Sequence, residues 1–218
     1  MKLYVLPPSP RAFKVIALKN HLGLECETLI VDLGHDAHLT PEYEKLNPNR
    51  KMPVLDDDGF ILWESNAILF YLASKKPASG MWPSEVKRQA DVLRWLSWES
   101  AHWDSQAIGQ IGHELVSKMV LRLGPPDAAR IADGKAQFDR FAPVLNEGLR
   151  DKKWLVGETP TIADFAIGTW MPSITRLELP VAKYPNILRW YERLAALLAW
   201  QATMASVAEF MQTMEAQR

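Results

Sequence analysis

The strongest constraint in this sequence is a change of grammar close to residue 76. Before it, the apolar pattern switches repeatedly between short runs and helical spacing, as strands and helices in alternation require. After it, helical spacing continues and no convincing strand is found. Lys75 to Ser84, with Pro77, Gly80 and Pro83, reads as the connection. The pattern predicts a small α/β domain over residues 1–76, a linker over 77–84 and an all-α helical bundle over 85–218.

Leu3-Tyr4-Val5-Leu6 and Thr28-Leu29-Ile30-Val31 have strand character, with a helix between them from Pro10 to about Leu22 that stops at Gly23. Pro41 to Leu46 is a helical turn ended by Asn47-Pro48. Pro53-Val54-Leu55 and Phe60-Ile61-Leu62-Trp63 flank Asp56-Asp57-Asp58-Gly59, whose Asp-Gly step signals a hairpin. Ser65 caps a helix to about Ser74. The order β-α-β, turn, β-β-α suits one sheet with both parallel and antiparallel pairs. In the second half, Glu85 to about Leu123 is a long helical pattern with a bend expected near Gly109 and Gly112. Helices then follow from Pro125-Pro126-Asp127 to Arg150, Thr161 to Thr175, Pro185 to Leu197 and Trp200 to Ala216.

Composition narrows the partners. The formal net charge of -1 gives no basic excess that would mark a nucleic-acid or membrane partner, and no apolar run approaches the roughly 18 residues of a membrane span. Pro7 and Pro8 interrupt the start before a signal-peptide core develops. Cys26 is the only cysteine, which rules out an internal disulfide and a cysteine-based metal cluster. A cytoplasmic protein is expected.

Three segments carry chemistry. Ser9-Pro10 is a helix start: serine is a strong N-cap, and proline suits the next position. Ser9 either caps the helix or joins the helix's positive end in stabilising an anion. A thiolate suits that place. A thiol of pKa ~8.5 is only about 3% ionised at pH 7, and lowering it by two units takes ~2.7 kcal/mol, within reach of one charge-assisted hydrogen bond and a helix terminus. Pro53 opens a strand, where proline is tolerated, and a cis bond there would turn the Met52 backbone toward a ligand. Glu64-Ser65 stands at a helix start, either as a cap or as a seat for a dipolar ligand, with its carboxylate on Ser65 and the helix amides and its ammonium near Glu64. Thr161-Ile162-Ala163-Asp164 is a capping-box pattern and reads as a folding element.

Metal motifs are incomplete. His113-Glu114 has Ser117 where a zinc-protease helix needs its second histidine, Glu99-x-x-His102 has no second copy in the later helices, and His35 and His38 lack identifiable co-ligands. Trp95, Trp98, Glu99, His102 and Trp103 share helical spacing and read as a packed face, with Trp103 the member assigned to a pocket.

Ser9 to Val15, Lys51 to Leu55, Glu64-Ser65-Asn66-Ala67-Ile68 and Thr161 to Asp164 together resemble the glutathione transferase superfamily, in its serine-type theta- and phi-like bacterial classes, over nearly the whole chain. The resemblance implies a thioredoxin-like first domain ahead of the helical bundle. It also implies glutathione as co-substrate, no metal, and a homodimer acting on small hydrophobic electrophiles. On it, Ser9 donates to the glutathione sulfur, Met52 pairs with the cysteinyl backbone beside Pro53, Glu64 and Ser65 hold the γ-glutamyl end, and His38 and Lys51 approach the glycine carboxylate. Arg11, Phe13, Trp103, Gln106 and Gln110 become candidates for the electrophile pocket. Arg50 departs from the pattern, since many relatives have glycine there; a positive φ would strain arginine. Tyr4 reads as structural and Cys26 as a small buried hydrophobe. Other expectations from the same thiolate are isomerisation, reductive dehalogenation, peroxide reduction or ether cleavage. A glutathione-binding module without turnover is the reading outside enzymology.

Overall fold

The computed structural model describes residues 1–216. Its strands are β1 (Lys2–Val5), β2 (Glu27–Ile30), β3 (Val54–Asp57) and β4 (Phe60–Trp63), in the sheet order β2-β1-β3-β4. β1 runs parallel to β2 and antiparallel to β3, and β3 runs antiparallel to β4. A parallel neighbour needs a crossover, which α1 (Pro10–His21) supplies between β1 and β2; the antiparallel pair β3 and β4 needs only the Asp58-Gly59 turn.

The strands alternate by face with period two. Leu3 and its partner Leu55 are fully buried. They share a core with Val15 and Leu18 of α1 and with Ile68, Leu69 and Leu72 of α3 (Ser65–Ser74), which packs on α1. Tyr4 and its partner Val54 face the other way, into a smaller cluster with Val31 and with Tyr43 and Leu46 of α2 (Pro41–Leu46). Thr40 starts α2 in the expected manner: its hydroxyl accepts the Tyr43 N–H at 3.2 Å, and Pro41 takes the first helical position. The helix start at Ser65 is displaced by one residue from the sequence expectation. Glu64 is the N-cap, and Ser65 is the first helical residue.

The chain divides into two compact units, residues 1–79 with the stretch from Leu197 onward, and Gly80–Ala196. The last helix, α10 (Leu198–Ala216), is thus part of the α/β unit. It meets α1 through Trp200, whose ring stands edge-on to Phe13 with centroids 4.8 Å apart, and through Thr203, whose hydroxyl accepts from Asn20 Nδ2 at 3.0 Å.

The second unit holds α4 (Val86–Trp98), α5 (Ile108–Gly112), α6 (Lys118–Leu121), α7 (Ala128–Gly148), α8 (Ile162–Ile167) and α9 (Pro185–Ala195). The long helical pattern from Glu85 to Leu123, with its bend expected near Gly109 and Gly112, is interrupted by two π-helical stretches, Glu99–Ala107 and His113–Ser117. Packing explains the interruption. The Trp170 ring lies where a Cβ on Gly112 would come within 2.2 Å of it, and its Nε1 donates to the buried Asp104 at 2.7 Å inside the first stretch. One indole is thereby keyed into the widened helix. Glycine is required at Gly112 for that approach. The helix expected from Thr161 to Thr175 is α only to Ile167 and then tightens into a 3₁₀ segment over Gly168–Ser173, which contains Pro172.

Asp164 organises the centre of this unit. Its carboxylate reaches back to the Thr161 N–H at 2.8 Å and the Thr161 hydroxyl at 3.1 Å, closing the box legible in the sequence. It also accepts the Leu155 N–H at 3.0 Å and Trp190 Nε1 at 2.8 Å. Burial pushes this carboxyl above its ordinary range, and the four donors pull it back. Removing the acceptor strands several buried donors at once. Asp164→Ala is therefore expected to lower stability by about 3–5 kcal/mol in chemical denaturation. Asp164→Asn, which keeps one carbonyl oxygen, is expected to cost less.

Candidate active site

Strand register gathers the chemical segments at one end of the sheet. Tyr4 pairs with Val54, so the end of β1 that leads to Ser9 lies beside Met52-Pro53 at the start of β3. Val54 pairs with Trp63, so the exit of β4 into Glu64-Ser65 lies at that same end. Val5 pairs with Ile30, and the chain leaving β2 toward His38 departs there too. All seven residues expected to bind or activate glutathione belong to the first unit.

Ser9 is half-buried and sits at the N-cap position of α1, with extended backbone (φ -65°, ψ 126°). Its N–H donates to the Leu6 carbonyl at 2.9 Å, and its own carbonyl accepts the Phe13 N–H at 2.8 Å. Its hydroxyl makes no capping hydrogen bond. Position and role separate here: the serine stands where a cap stands, yet its side chain is not spent as one. With Pro10 in the next place, the positive end of α1 adjoins that hydroxyl.

The Met52–Pro53 peptide bond is cis, and Pro53 is buried. The loop ahead of it is held from an unexpected side. Tyr43 Oη and Asn47 Nδ2 both donate to the Lys51 carbonyl, at 3.0 and 2.7 Å. Burial, with Tyr4 nearby, pushes the Tyr43 phenol up to about 12, which keeps it a donor at any physiological pH. Asn47 is 3% exposed and also accepts the Asn49 N–H at 2.9 Å. Met52 is thereby presented by fixed backbone on both sides while its own side chain packs against the Tyr43 cluster.

Arg50 has φ 53°, the left-handed conformation that glycine adopts most easily. The side chain is used none the less: its guanidinium meets Glu44 at 2.9 Å, with both groups nearly half exposed. Glu64 has φ 70° and ψ 111°, outside the small left-handed region as well as the common ones. Such a conformation costs about 1–3 kcal/mol and is concentrated at ligand sites. It exposes the Glu64 side chain and turns the chain directly into the buried Ser65, whose first-turn amides end α3 with positive character. Lys14, on α1, donates to Asn66 Oδ1 at 2.8 Å just behind that turn. Lys51 is exposed. His38 is half-buried in a 3₁₀ turn (Ala37–Leu39), and its Nδ1 is enclosed with no partner among the described residues.

The remaining candidates lie in two units. Arg11 is exposed on the first turn of α1, and Phe13 is packed on Trp200. In the second unit Trp103 is 1% exposed and lies between the rings of Trp98 and Phe138. There Gln106 donates to the Ala101 carbonyl, and Gln110 donates to the Arg130 carbonyl and to Asp133. His113-Glu114, set aside as a metal motif, has its glutamate bound to Lys118, Arg130 and the Asp127 N–H. The residues to which the sequence assigned no role are Tyr43, Asn47, Lys14 and Asn66. Asn47 was visible only as a helix stop before Pro48, Tyr43 only as a position on a helix, and Lys14 and Asn66 only as members of the Ser9–Val15 and Glu64–Ile68 segments.

This arrangement is that of a known family. The model of the glutathione S-transferase N-terminal domain matches residues 1–74, and that of the C-terminal domain matches residues 108–197. Glutathione S-transferase 3 of Zea mays is 34% identical over 212 residues, 95% of this chain and 94% of its own. The disulfide-bond oxidoreductase YfcG of Escherichia coli is 32% identical over 197 residues, 86% of each chain. The crystal structure of glutathione transferase F7 from Populus trichocarpa superposes with a TM-score of 0.85 at 25% identity, covering 94% of this chain and 98% of that one. The chain belongs to the glutathione S-transferase family. It is an enzyme of that class, with a glutathione-dependent role on a thioredoxin-like domain joined to a helical one.

Arg50 offers a test of the backbone around the site. Arg50→Gly relieves a left-handed side-chain clash worth roughly 1–2 kcal/mol, against the extra chain entropy of glycine and a weak surface ion pair. A net gain of about 0.5–1 kcal/mol in denaturant unfolding is expected.

Proposed function

We propose that this enzyme binds glutathione at the strand ends of its first unit and uses Ser9 to hold the sulfur as thiolate for attack on small apolar electrophiles. The observation that carries this reading is the Ser9 hydroxyl, which occupies the start of α1 without making a capping bond. A hydroxyl and a helix terminus directed at one sulfur are sufficient to lower a thiol pKa into the working range. The rest of the tripeptide follows the loops. Met52 pairs through its main chain with the cysteinyl backbone next to the cis Pro53, Glu64 takes the γ-glutamyl ammonium and Ser65 its carboxylate, and Lys51 and His38 take the glycine carboxylate. The thiolate attacks an electrophilic carbon, a thioether forms, and the leaving group departs with the electron pair. In the transition state the hydroxyl's hydrogen bond weakens as charge leaves sulfur, so Ser9 acts chiefly by raising the fraction of thiolate.

The similarity to YfcG favours a second reading, in which the same thiolate attacks a disulfide sulfur and a second glutathione resolves the mixed disulfide. The protein's sole cysteine, Cys26, lies next to β2, away from the Ser9 end of the sheet, so both thiols would come from glutathione.

A homodimer in the cytoplasm is part of the proposal. Phe60 on β4 and Phe70 on α3 are 51% and 42% exposed, apolar side chains suited to a second copy. Light scattering at micromolar concentration is expected to give twice the 24.7 kDa chain mass, and a monomer mass would refute it.

Activity is to be measured against aryl halides, epoxides, isothiocyanates and a small disulfide, for the native enzyme and Ser9→Ala. Loss of the hydroxyl is expected to lower kcat/KM about 10- to 100-fold on the productive substrate and to move the pH–rate profile upward, with glutathione affinity little changed. Equal turnover by both proteins would remove Ser9 from the chemistry.

A further inference from the structure

The helices that begin next to Ser9 and at Ser65 are joined by a charged side chain inside the core. Lys14 stands five residues beyond Ser9 on α1, about 7.5 Å along the helix axis. It is 1% exposed, flanked on its helix by the buried Phe13, Val15, Ile16 and Leu18. From there its Nζ donates to Asn66 Oδ1 at 2.8 Å, and Asn66 is the residue after Ser65. By position Lys14 belongs to an apolar stripe. A methionine would fill much the same volume without the cost of taking an ammonium out of water.

What the ammonium supplies is direction. Apolar contacts between α1 and α3 tolerate sliding by a fraction of a turn, whereas a charge-assisted hydrogen bond fixes one donor against one acceptor. The start of α3 has need of such a tie. Its N-cap, Glu64, is at φ 70° and makes no side-chain capping bond, so the turn lacks the usual local lock.

We propose that Lys14 is a positioning residue for glutathione. Through Asn66 it holds the first turn of α3, and with it Glu64 and Ser65, at a fixed offset from Ser9. This rests on the reading of the strand-end loops as the glutathione site. A tripeptide spans the two helix starts, its thiol at one and its γ-glutamyl group at the other. Loosening the tie from its Asn66 end therefore weakens tripeptide binding while leaving the start of α1, and with it the ionisation of the bound thiol, unaltered.

The experiment compares the native enzyme with Asn66→Ala, Lys14→Met and the double variant. Asn66→Ala removes the tie from the partly exposed end and serves as the variant that folds if the buried change does not. Calorimetry with glutathione, steady-state kinetics and the pH dependence of the bound thiol are read on each. Either single change is expected to raise the glutathione Kd and KM about tenfold with kcat at saturating glutathione held, and Asn66→Ala, which keeps the Lys14 charge, is expected to hold the thiol pKa as well. The double variant is expected to bind glutathione no worse than the weaker-binding single one, because both single changes break the Lys14–Asn66 bond. A folded Asn66→Ala enzyme with native Kd overturns the proposal, as do losses that add. A tie with only a structural role would lower the unfolding midpoint and leave the Kd alone. Should the native enzyme fail to bind glutathione at millimolar concentration, the site reading falls. Hydrogen exchange at residues 65–68 then still decides the tie: faster exchange in Asn66→Ala supports it, and unchanged exchange refutes it.

Discussion

The antiparallel register of β1 with β3 is the constraint on which the site depends. Leu3 opposite Leu55 and Tyr4 opposite Val54 set which residues of each strand face the core. A slip of one residue would exchange the two faces of β3 and carry Met52-Pro53 away from the end of β1. Because the strands are only four residues long, their ends lie close to these pairs, and the loops that leave the same end of the sheet start beside one another. The site is a by-product of strand pairing: three segments far apart in sequence converge because two ladders are in register.

Loops brought together in this way still need to be held, and polar groups do so from behind. Tyr43 and Asn47 converge on one carbonyl, that of Lys51, and Lys14 reaches Asn66. Each bond is sheltered from water, where it is stronger and where an unmet partner would be costly. Against these ties stand the positive-φ residues Arg50 and Glu64, which bend the chain at the two ends of the β3–β4 hairpin segment. The hydrogen bonds and the packed core hold a backbone that local preference alone would not choose. The second unit uses the same device for another purpose: Asp164 satisfies donors from Thr161, Leu155 and Trp190, and so fixes a helix start against its surroundings.

Much of this was legible in the sequence. The four strands, the Asp-Gly turn, the Thr-Pro and Ser-Pro helix starts and the Thr161–Asp164 box depend on residues within a few positions of one another, where backbone preference and short-range hydrogen bonding decide the outcome. The segments around Ser9, Pro53 and Glu64-Ser65 were visible for the same reason, each being a short motif in a predictable context. The long helix after Glu85 was read less well. Its spacing is helical throughout, and only the insertion of Trp170 against Gly112 and Asp104 explains the two π-helical stretches. The offset of one residue at the start of α3 goes with the positive φ of Glu64, which stands as its N-cap.

The sequence by itself determined the class of fold, the order of elements and the short motifs at the starts of α1, β3 and α3, because those properties follow from periodicity and from neighbours in the chain. Tertiary structure decided that the Ser9 hydroxyl is not consumed as a cap, that α10 returns to lie on α1, and that Lys14 is tied to Asn66 across 52 positions. Those outcomes depend on which donor meets which acceptor after the chain has folded back on itself. Such a pairing leaves no periodic trace, since a buried lysine and a core hydrophobe can occupy the same turn of a helix.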